Sequence, residues 1–596
     1  MRLYILFILF FLCANLLAQQ TFEDRFDLGL SKVDDCDRNW VKAYGSSSFQ
    51  QKEEKGKKFL SVLYKKRIDK TMSFTLSRII VFPVNIERKD LHIGFETRGH
   101  TNFPLSVDIT SYDADESALE SDTIQVKINT KWKKNVVSVG KGRIAAIKLT
   151  ITYKGDQDNN QVVDFRNISI RCGKRDMTST IIKYPIDSTY TVFDKSHIKP
   201  LKKSENEFEN PIPNIKDIKV IGLGEITHGS NDLKEARNLF VKNLISHHNC
   251  KLVLMEVPYE LAFLMNLYIT GKLDEPGKAK LRRNLDLTFS GMDELEGLLE
   301  WIKNYNNSNS KQVKIFGIDN PINQGGRDYP LMDYHLYLFG QEFMRPYLSM
   351  FMAAETKQAL NKMKVDQVMY TGLNKQDIAF YKYFIADYDN PERQFSNVDE
   401  WWHLDRDLKM FKRLCFLDSL YREEGEKIII LAHSWHVKKT PFTTGTKTEK
   451  MLGNYLARFY KDAYFSINFT FGAGTFLQDD CKSFHYTTDT IQIPRARTLE
   501  SYAFQSGIDF FYFPTDRLIS PPNQMLGISR YKLKSDYNDF GNVKKRYDAI
   551  VFLRNVTAIN RHGYDSFSGP HFYSKDREKE YDELIKKMES DSVPHL

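Results

Sequence analysis

Two apolar runs in the middle of the chain restrict its fold more than any other part of the sequence. The runs VIGLGE (220–225) and KLVLMEV (251–257) are continuous rather than alternating, as in parallel strands that are buried on both faces. Between them, the apolar residues of NDLKEARNLFVKNLISHH (231–248) recur at spacings of three and four, which predicts one face of a helix. A strand, a helix and a second strand in this order favour an α/β fold with helices packed on a sheet.

Further strands follow along the same part of the chain. They are predicted at VKIFGIDN (313–320), KIIILAHSWHV (427–437), AYFSINFTFGAGTF (463–476) and YDAIVFLRNV (547–556). A long helical stretch over roughly 340–425 separates the first two of them. We therefore expect residues 217–556 to form an α/β domain with a parallel or mixed sheet and a helical insertion.

The N-terminal part of the chain has a different pattern. Residues 19–172 contain short, partly alternating runs rich in β-branched residues, which predict an all-β sandwich of the jelly-roll type, similar in architecture to carbohydrate-binding modules. Trp40 and Trp132 are the right residue type to stack on sugars, although packing within the domain is the more common role. Residues 173–216 read as a linker, and residues 557–596 as a C-terminal tail with a short helix.

The first residues predict export. MRLYILFILFFLCANLLA (1–18) has the charge, the short apolar run and the small final residue of a secretory signal peptide, so we expect a periplasmic or extracellular protein. No later segment predicts a stable membrane span. An oxidising compartment permits a disulfide between Cys36 and Cys172, with isolated thiols as the alternative. The net charge of +8 on 596 residues is small and dispersed, which argues against a nucleic-acid partner.

Polar residues stand where four of the predicted strands end. The carboxyl ends of parallel strands line the ligand crevice of an open α/β sheet, so these side chains are expected to share one rim. They are Glu225 and His228, Glu256, Asp319, and His433 with His436. Taken singly, most of them have ordinary structural explanations, such as a helix cap, a turn or a hydrogen-bonded histidine. A carboxylate after four apolar residues, as at Glu256, is costly to bury unless it is paired.

These residue types favour acid–base chemistry. A histidine held by a carboxylate can act as a general base near neutral pH. The strands carry no G-x-S-x-G motif of a serine nucleophile, and Ser434 lies between bulky residues. A water nucleophile and the hydrolysis of an ester or a similar acyl bond are therefore predicted.

Several motifs of this region, in the same order, resemble the erythromycin esterase family, bacterial hydrolases that open macrolide lactones. The matching stretches are GEITHG (224–229), EARNLF (235–240) with Arg237, LMEVP (254–258), EWIKNYN (300–306), WHLDRDLKMF (402–411) with Arg406, Asp407 and Met410, and AHSWHV (432–437). In the stretch after Met410, FKR replaces the Ala-Glu-Asn of the family. The resemblance covers about residues 216–556 and leaves out the sandwich.

The resemblance implies a role for each matching residue. His228 is the expected general base that activates water, and Glu225 and Glu256 orient and polarise the imidazoles. Arg237 is expected to hold a carboxylate or stabilise the oxyanion. His433 and His436 are expected to donate to the oxyanion or the leaving group, and Asp319 and Arg406 are assigned to substrate binding.

The resemblance also implies that no cofactor is needed, but other readings stay open. Glu225, His228, Glu256 and His433 are residue types that can bind zinc, so a metal-dependent hydrolase or peptidase is one alternative. A non-enzymatic protein that binds haem or a glycan is another. The predicted substrate is a small-molecule or glycan ester outside the cytoplasm rather than an antibiotic inside it.

Overall fold

The protein was analysed as a computed structural model. The structure describes residues 21–25, 41–43, 47–64, 72–88, 91–100, 105–113, 118–139, 142–155, 161–173, 175–176, 181–185, 192–285, 293–320, 329–353, 355–366, 370, 373–388, 406–444, 447–480, 485–494, 498–519, 524–526, 538–559, 579 and 581–586. The predicted signal peptide, Trp40 and Cys36 lie outside these ranges, so the export signal and the disulfide stay predictions. The described residues of the tail, 579 and 581–586, are helical.

The N-terminal region is made of antiparallel sheets. Its strands are β1 (Thr21–Arg25), β2 (Val41–Ala43), β3 (Ser47–Glu54), β4 (Lys57–Tyr64), β5 (Met72–Arg88), β6 (Leu91–His100), β7 (Leu105–Tyr112), β8 (Ala118–Val126), β9 (Lys133–Val139), β10 (Gly142–Gly155), β11 (Gln161–Cys172), β12 (Arg175–Asp176) and β13 (Ile181–Pro185). One sheet has the order β2-β5-β10-β7-β8 and another the order β3-β4-β11-β6-β9, with β12 on β11. Strands β12 and β13 fall within the predicted linker, and β13 pairs with β1.

The two large N-terminal sheets share one apolar core. Ile93 and Phe165 from one sheet and Val107 and Leu149 from the other belong to the same cluster of buried residues. Alternation along β7, where every second residue is buried, directs one face of the strand into this core. The predicted all-β sandwich is therefore confirmed.

Trp132 lies against charged side chains of the sandwich. The guanidinium groups of Arg98 and Arg166 lie 4.5 and 3.9 Å from the centre of the Trp132 ring. Arg98 in turn forms an ion pair with Asp164. A sugar stacking on this indole would compete with the two guanidinium groups, so the packing role is the better supported of the two that the sequence suggests.

The C-terminal region contains a large mixed sheet. Its strands, with two short hairpins, are β14 (Lys199–Pro200), β15 (Val220–Glu225), β16 (Cys250–Pro258), β17 (Lys314–Asp319), β18 (Lys427–His433), β19 (Phe442–Thr444), β20 (Lys447–Glu449), β21 (Tyr464–Asp480), β22 (His485–Ile491), β23 (Phe510–Pro514), β24 (Gln524–Leu526), β25 (Asn538–Phe540) and β26 (Ala549–Val556). The order is β14-β23-β26-β21-β15-β18-β16-β17, with β22 on β21. The strands from β26 to β17 are parallel to their neighbours, and β14, β22 and β23 are antiparallel.

Helices cover both faces of this sheet. They are α1 (Asn231–His247), α2 (Tyr259–Ile269), α3 (Glu275–Leu285), α4 (Asp293–Ser308), α5 (Tyr329–Met352), α6 (Thr356–Val365), α7 (Lys375–Tyr388), α8 (Arg406–Tyr421), α9 (Ser434–Val437), α10 (Leu452–Tyr460), α11 (Leu499–Gln505) and α12 (Val543–Arg546). One core lies between the sheet and helices that include α1 and α4, and the other lies between the opposite face and the inserted helices α5 to α8. The predicted α/β fold with a helical insertion is confirmed.

Candidate active site

The order of the strands brings the polar strand ends together. Strand β18 lies between β15 and β16, although it follows both of them in the chain. Glu225 at the end of β15 is in register with His433 at the end of β18. Since parallel strands end at the same edge, Glu256 on β16 and Asp319 on β17 complete a row of polar residues there.

The two glycines of GEITHG allow close packing around this row. A Cβ atom on Gly224 would lie 2.4 Å from Val437 Cγ2 and 2.7 Å from Ser434 Cα, which belong to α9. A Cβ atom on Gly229 would lie 1.9 Å from the Leu477 carbonyl oxygen on β21. These distances are too short for any other residue, so the glycines let α9 and β21 approach the loop that carries His228.

His228 forms a pair with the carboxylate of Glu225. The distance from His228 Nδ1 to Glu225 Oε1 is 2.7 Å, and Arg237 Nη1 lies 3.2 Å from the other oxygen, Glu225 Oε2. Ser230 caps α1, and Arg237 follows two turns later on the buried side of that helix. His228 and Arg237, nine residues apart, therefore contact the same carboxylate.

The charge of Glu225 fixes the tautomer of His228. Burial raises the pKa of Glu225, but the Arg237 guanidinium and the hydrogen bond from His228 outweigh it and lower the pKa to about 2. The carboxylate is thus ionised at neutral pH and accepts a hydrogen bond, so the proton of a neutral His228 is on Nδ1. The lone pair is then on Nε2, which faces Glu256 with 4.0 Å between Nε2 and Glu256 Oε2.

Glu256 connects the two halves of the site. Its Oε2 accepts a hydrogen bond from the backbone N–H of His433 at 2.6 Å, and its Oε1 lies 2.8 Å from Arg406 Nη2 and 3.1 Å from His436 Nε2. Burial raises the pKa of Glu256, whereas His436 and Arg406 hold it well below its ordinary value. A buried carboxylate with this many partners stays charged and fixed in position.

Arg406 and Asp319 form a buried ion pair behind Glu256. Arg406 Nε and Nη2 donate to the two oxygens of Asp319 at 2.7 and 2.6 Å, and Nη2 also reaches Glu256. The sequence assigned both residues to substrate binding. In the structure they bind each other, and Arg406 also contacts Glu256, so their assignment to substrate binding stays a prediction.

His436 is enclosed between two carboxylates. Its Nδ1 lies 2.8 Å from Asp407 Oδ1, and its Nε2 lies 3.1 Å from Glu256 Oε1 and 2.9 Å from Arg406 Nη1. Burial lowers the pKa of His436, but Asp407 and Glu256 outweigh it and raise the pKa to about 10. The protonated ring is therefore favoured at neutral pH, although the Arg406 guanidinium beside Nε2 opposes it.

Asp407 was absent from the predicted set, although the Arg-Asp pair at the start of α8 was visible as part of a motif. It also accepts a hydrogen bond of 2.7 Å from the backbone N–H of Leu452 at the start of α10. Asp407 thus connects His436 to two helices.

His433 is held in place by main-chain groups. The backbone N–H of Trp435 donates to His433 Nδ1 at 3.3 Å, so the ring proton is on Nε2 and donates to the Ile226 carbonyl at 3.0 Å. Burial and the neighbouring His228 lower the pKa of His433 to about 3, which keeps the ring neutral. In this arrangement His433 acts on the site through its backbone N–H to Glu256.

A small cavity lies beside these groups. Glu225, His228, Arg237 and Glu256 form its polar side, and Met255 and Leu431 belong to its apolar wall. Among the described residues, no group of three or more His, Cys, Asp and Glu side chains has the arrangement of a metal site. Both ring nitrogens of His433, one of the four residues that the sequence offered as zinc ligands, are bound to backbone groups.

The comparison with known protein families finds a match in the C-terminal part of the α/β region. The sequence model of the erythromycin esterase family matches residues 349–556. This segment is erythromycin esterase-like. It contains Arg406, Asp407, His433 and His436, so the predicted resemblance is confirmed for that half of the site and supports a hydrolase. No curated protein matches the chain.

Three solved structures are similar to parts of the chain. A Bacillus cereus protein is 18% identical, with 62% of this chain and 97% of that chain aligned and a TM-score of 0.47. A variant of the erythromycin esterase EreC in its open conformation is 18% identical over 62% of this chain and all of that chain, with a TM-score of 0.45. A family 11 carbohydrate-binding module of Clostridium thermocellum is 13% identical over 25% of this chain and 95% of that chain, with a TM-score of 0.19.

Proposed function

We propose that the protein hydrolyses a carboxylic ester with a water molecule that His228 activates. The observation that carries this proposal is the direction of His228: Glu225 binds Nδ1 at 2.7 Å, and Nε2 faces Glu256 beside a cavity. This is the geometry of a general base whose tautomer is fixed by a carboxylate.

The proton transfers of this reaction balance within the site. A water molecule placed between His228 Nε2 and Glu256 gives one proton to Nε2, and its oxygen attacks the ester carbonyl. The tetrahedral oxyanion then collapses, and the alkoxide leaves with the proton that His228 holds. The products are a carboxylic acid and an alcohol, and no covalent bond to the protein forms.

Arg237 is the group best placed to stabilise the oxyanion. It is 6% exposed and lines the cavity, and its Nε has no hydrogen-bond acceptor within the described part of the chain. A buried N–H donor without an acceptor is costly, and an oxyanion or ester carbonyl would supply one. Its contact with Glu225 also keeps the guanidinium at a fixed distance from His228.

The substrate is expected outside the cytoplasm. The predicted signal peptide and the N-terminal sandwich are typical of exported proteins that act on surface or extracellular compounds. No helix among the described residues is long and apolar enough to cross a membrane. An acylated glycan or another small natural ester fits these features, with the sandwich acting in docking.

The test is a screen of the purified protein for hydrolysis of simple esters, macrolides and acylated glycans. We expect His228→Ala to lower kcat/KM by roughly 10²- to 10⁴-fold, because it removes the general base. His247→Ala is the matched control, since this histidine is exposed at the end of α1, and it should leave the rate unchanged. Full activity of the His228→Ala variant, with an unchanged thermal midpoint, would reject the proposal.

A further inference from the structure

Two helices that begin at the candidate site carry a row of aromatic side chains. Helices α8 and α10 meet at their first turns, where the backbone N–H of Leu452 donates to Asp407. Further along, Phe411 of α8 stacks on Tyr455 of α10 with 5.5 Å between the ring centres, and it forms a T-shaped pair with Phe459 at 5.7 Å. We call Phe411, Tyr455 and Phe459 the aromatic ridge.

The aromatic ridge extends beyond the core of the protein. Leu452 and Leu456 of α10 are fully buried, and Phe459 continues their apolar stripe at helical spacing. Phe459 is nevertheless 62% exposed, and it is the only exposed phenylalanine among the side chains that the structure describes. Phe411 and Tyr455 beside it are half-buried. Exposed, contiguous apolar side chains of this kind mark an interaction surface.

Basic side chains flank the aromatic ridge. Lys412 on α8, Arg458 on α10 and Lys461 just after α10 are all exposed, and none of them forms an ion pair with a described carboxylate. On the acidic side, Asp462 is exposed, while Asp418 is already bound within the protein to an arginine and a tyrosine. The surface around the ridge is therefore positively charged.

Part of this surface lies where the chain departs from the erythromycin esterase motif. In FKR (411–413), which stands in place of Ala-Glu-Asn, Phe411 supplies one ring of the aromatic ridge and Lys412 one of its charges. Arg413 instead lies in the interior, where it binds Asp387. A small side chain is thus replaced by an aromatic one and an acid by a base. The ridge therefore lies outside the set of catalytic residues that the resemblance implies.

We propose that the aromatic ridge docks the protein onto the surface of a membrane that contains anionic lipids. Phe459 enters the boundary between head groups and acyl chains, and the tyrosine stays at the level of the head groups. Lys412 and Arg458 bind the lipid phosphates. A glycan is the less suitable occupant, because glycan platforms combine aromatic rings with amide and carboxylate groups, whereas the polar groups here are mainly cations.

Membrane docking goes beyond the proposed ester hydrolysis and does not depend on it. Phe459 lies seven residues after Leu452, which is about 10 Å along the helix from the turn that contacts Asp407. A docked protein would therefore hold the candidate site close to esters at the membrane surface.

The experiment measures sedimentation of the full mature protein with phosphatidylcholine vesicles, with and without phosphatidylglycerol. The wild type should bind the vesicles that contain phosphatidylglycerol, and salt should weaken this binding. Phe459→Ser should weaken it roughly tenfold, because a buried aromatic side chain is lost. The double variant Lys412→Glu and Arg458→Glu should weaken it about tenfold or more, since each basic residue near an anionic surface contributes about 1 kcal/mol, or about fivefold.

Two control variants match these changes outside the aromatic ridge. Ile493→Ser removes an apolar side chain that is 63% exposed, close to the value for Phe459. Lys362→Glu with Lys364→Glu alters the net charge of the protein as much as the double variant does, at exposed positions of α6. Both controls should bind the vesicles like the wild type.

Three outcomes would overturn the inference. The first is a wild type that does not bind anionic vesicles, and the second is an equal loss of binding in the ridge and control variants. The third is binding to alginate, a soluble anionic polysaccharide, in place of the vesicles. Hydrolysis of p-nitrophenyl acetate in solution is measured alongside and should be the same in Phe459→Ser as in the wild type, so a failure of docking is distinguished from a failure of the proposed function.

Discussion

Two histidines at one edge of the sheet are each held by a carboxylate, yet their surroundings give them different properties. His228 has one close carboxylate, Glu225 at 2.7 Å, and its other nitrogen is 4.0 Å from Glu256 beside a cavity. His436 has carboxylates on both nitrogens, at 2.8 and 3.1 Å. The side chain of His228 is 16% exposed and that of His436 is 9% exposed.

The comparison shows how the number of close anions sets the role of an imidazole. A second carboxylate in contact favours the positively charged form of His436 at neutral pH, and this ring holds Glu256. His228 lines the cavity, and its Nε2 lies 4.0 Å from Glu256 Oε2. The same two residue types thus give a proposed base in one place and a fixed positive charge in the other.

The sharpest test of this difference is the isosteric replacement of each orienting carboxylate. Glu225→Gln should lower kcat roughly 10²- to 10⁴-fold, because an amide can donate to His228 Nδ1 and move the proton to the wrong nitrogen. Asp407→Asn should change kcat by less than about tenfold and instead lower the free energy of unfolding by about 2 kcal/mol, as expected for a lost hydrogen bond to a charged group. Steady-state kinetics and urea denaturation measure both. Equal losses of activity in the two variants would contradict the division of roles.

The largest loss of stability is expected from neutralising Glu256, which lies between the His228–Glu225 pair and the His436–Asp407 pair. Glu256→Gln leaves Arg406 and His436 in the interior with one carboxylate fewer, and breaking a buried ion pair in this way costs about 3 kcal/mol. Urea denaturation should show the loss, and activity should fall as well because Glu256 borders the proposed water site. Glu424→Gln, at an exposed position, is the control and should leave the midpoint unchanged. A stable and active Glu256→Gln protein would show that the site does not depend on this connection.

The unfolding free energy should depend on pH in opposite ways for the His436–Asp407 pair and the His228–Glu225 pair. The effect should be smaller than that of the substitutions above. The pKa of His436 is raised to about 10, so its stabilising contribution is complete below its ordinary value of 6.5 and is lost as the pH rises towards 10. The pKa of Glu225 is lowered to about 2, so its contribution is present above its ordinary value of 4.5 and is lost as the pH falls towards 2. The difference in unfolding free energy between the wild type and His436→Gln should therefore shrink between pH 6.5 and 10. A constant difference over that range would show that His436 is neutral in the folded protein.

The sequence predicted the parts of the site that depend on local patterns. Continuous apolar runs indicated buried parallel strands, and each run ended in the polar residue that the structure places at the rim, as for Glu225, Glu256, Asp319 and His433. Arg237 was singled out through the resemblance to the erythromycin esterase family, in the stretch EARNLF. The glycines of GEITHG were visible too, but the reason for them, the close approach of α9 and β21, depends on contacts far apart in the chain.

The sequence did not determine the order of the strands in the sheet. It therefore did not determine which side chains contact each other at the rim. Only the folded sheet puts β18 between β15 and β16, and this order places the His433 backbone N–H on Glu256 and brings Asp319 to the edge where it meets Arg406. The reason is physical: the chain dictates which strands are apolar on both faces, whereas their neighbours are chosen by how the crossing helices pack over the whole sheet. The sequence by itself determined which residues reach the rim, and the tertiary structure decided which of the histidines lines the cavity.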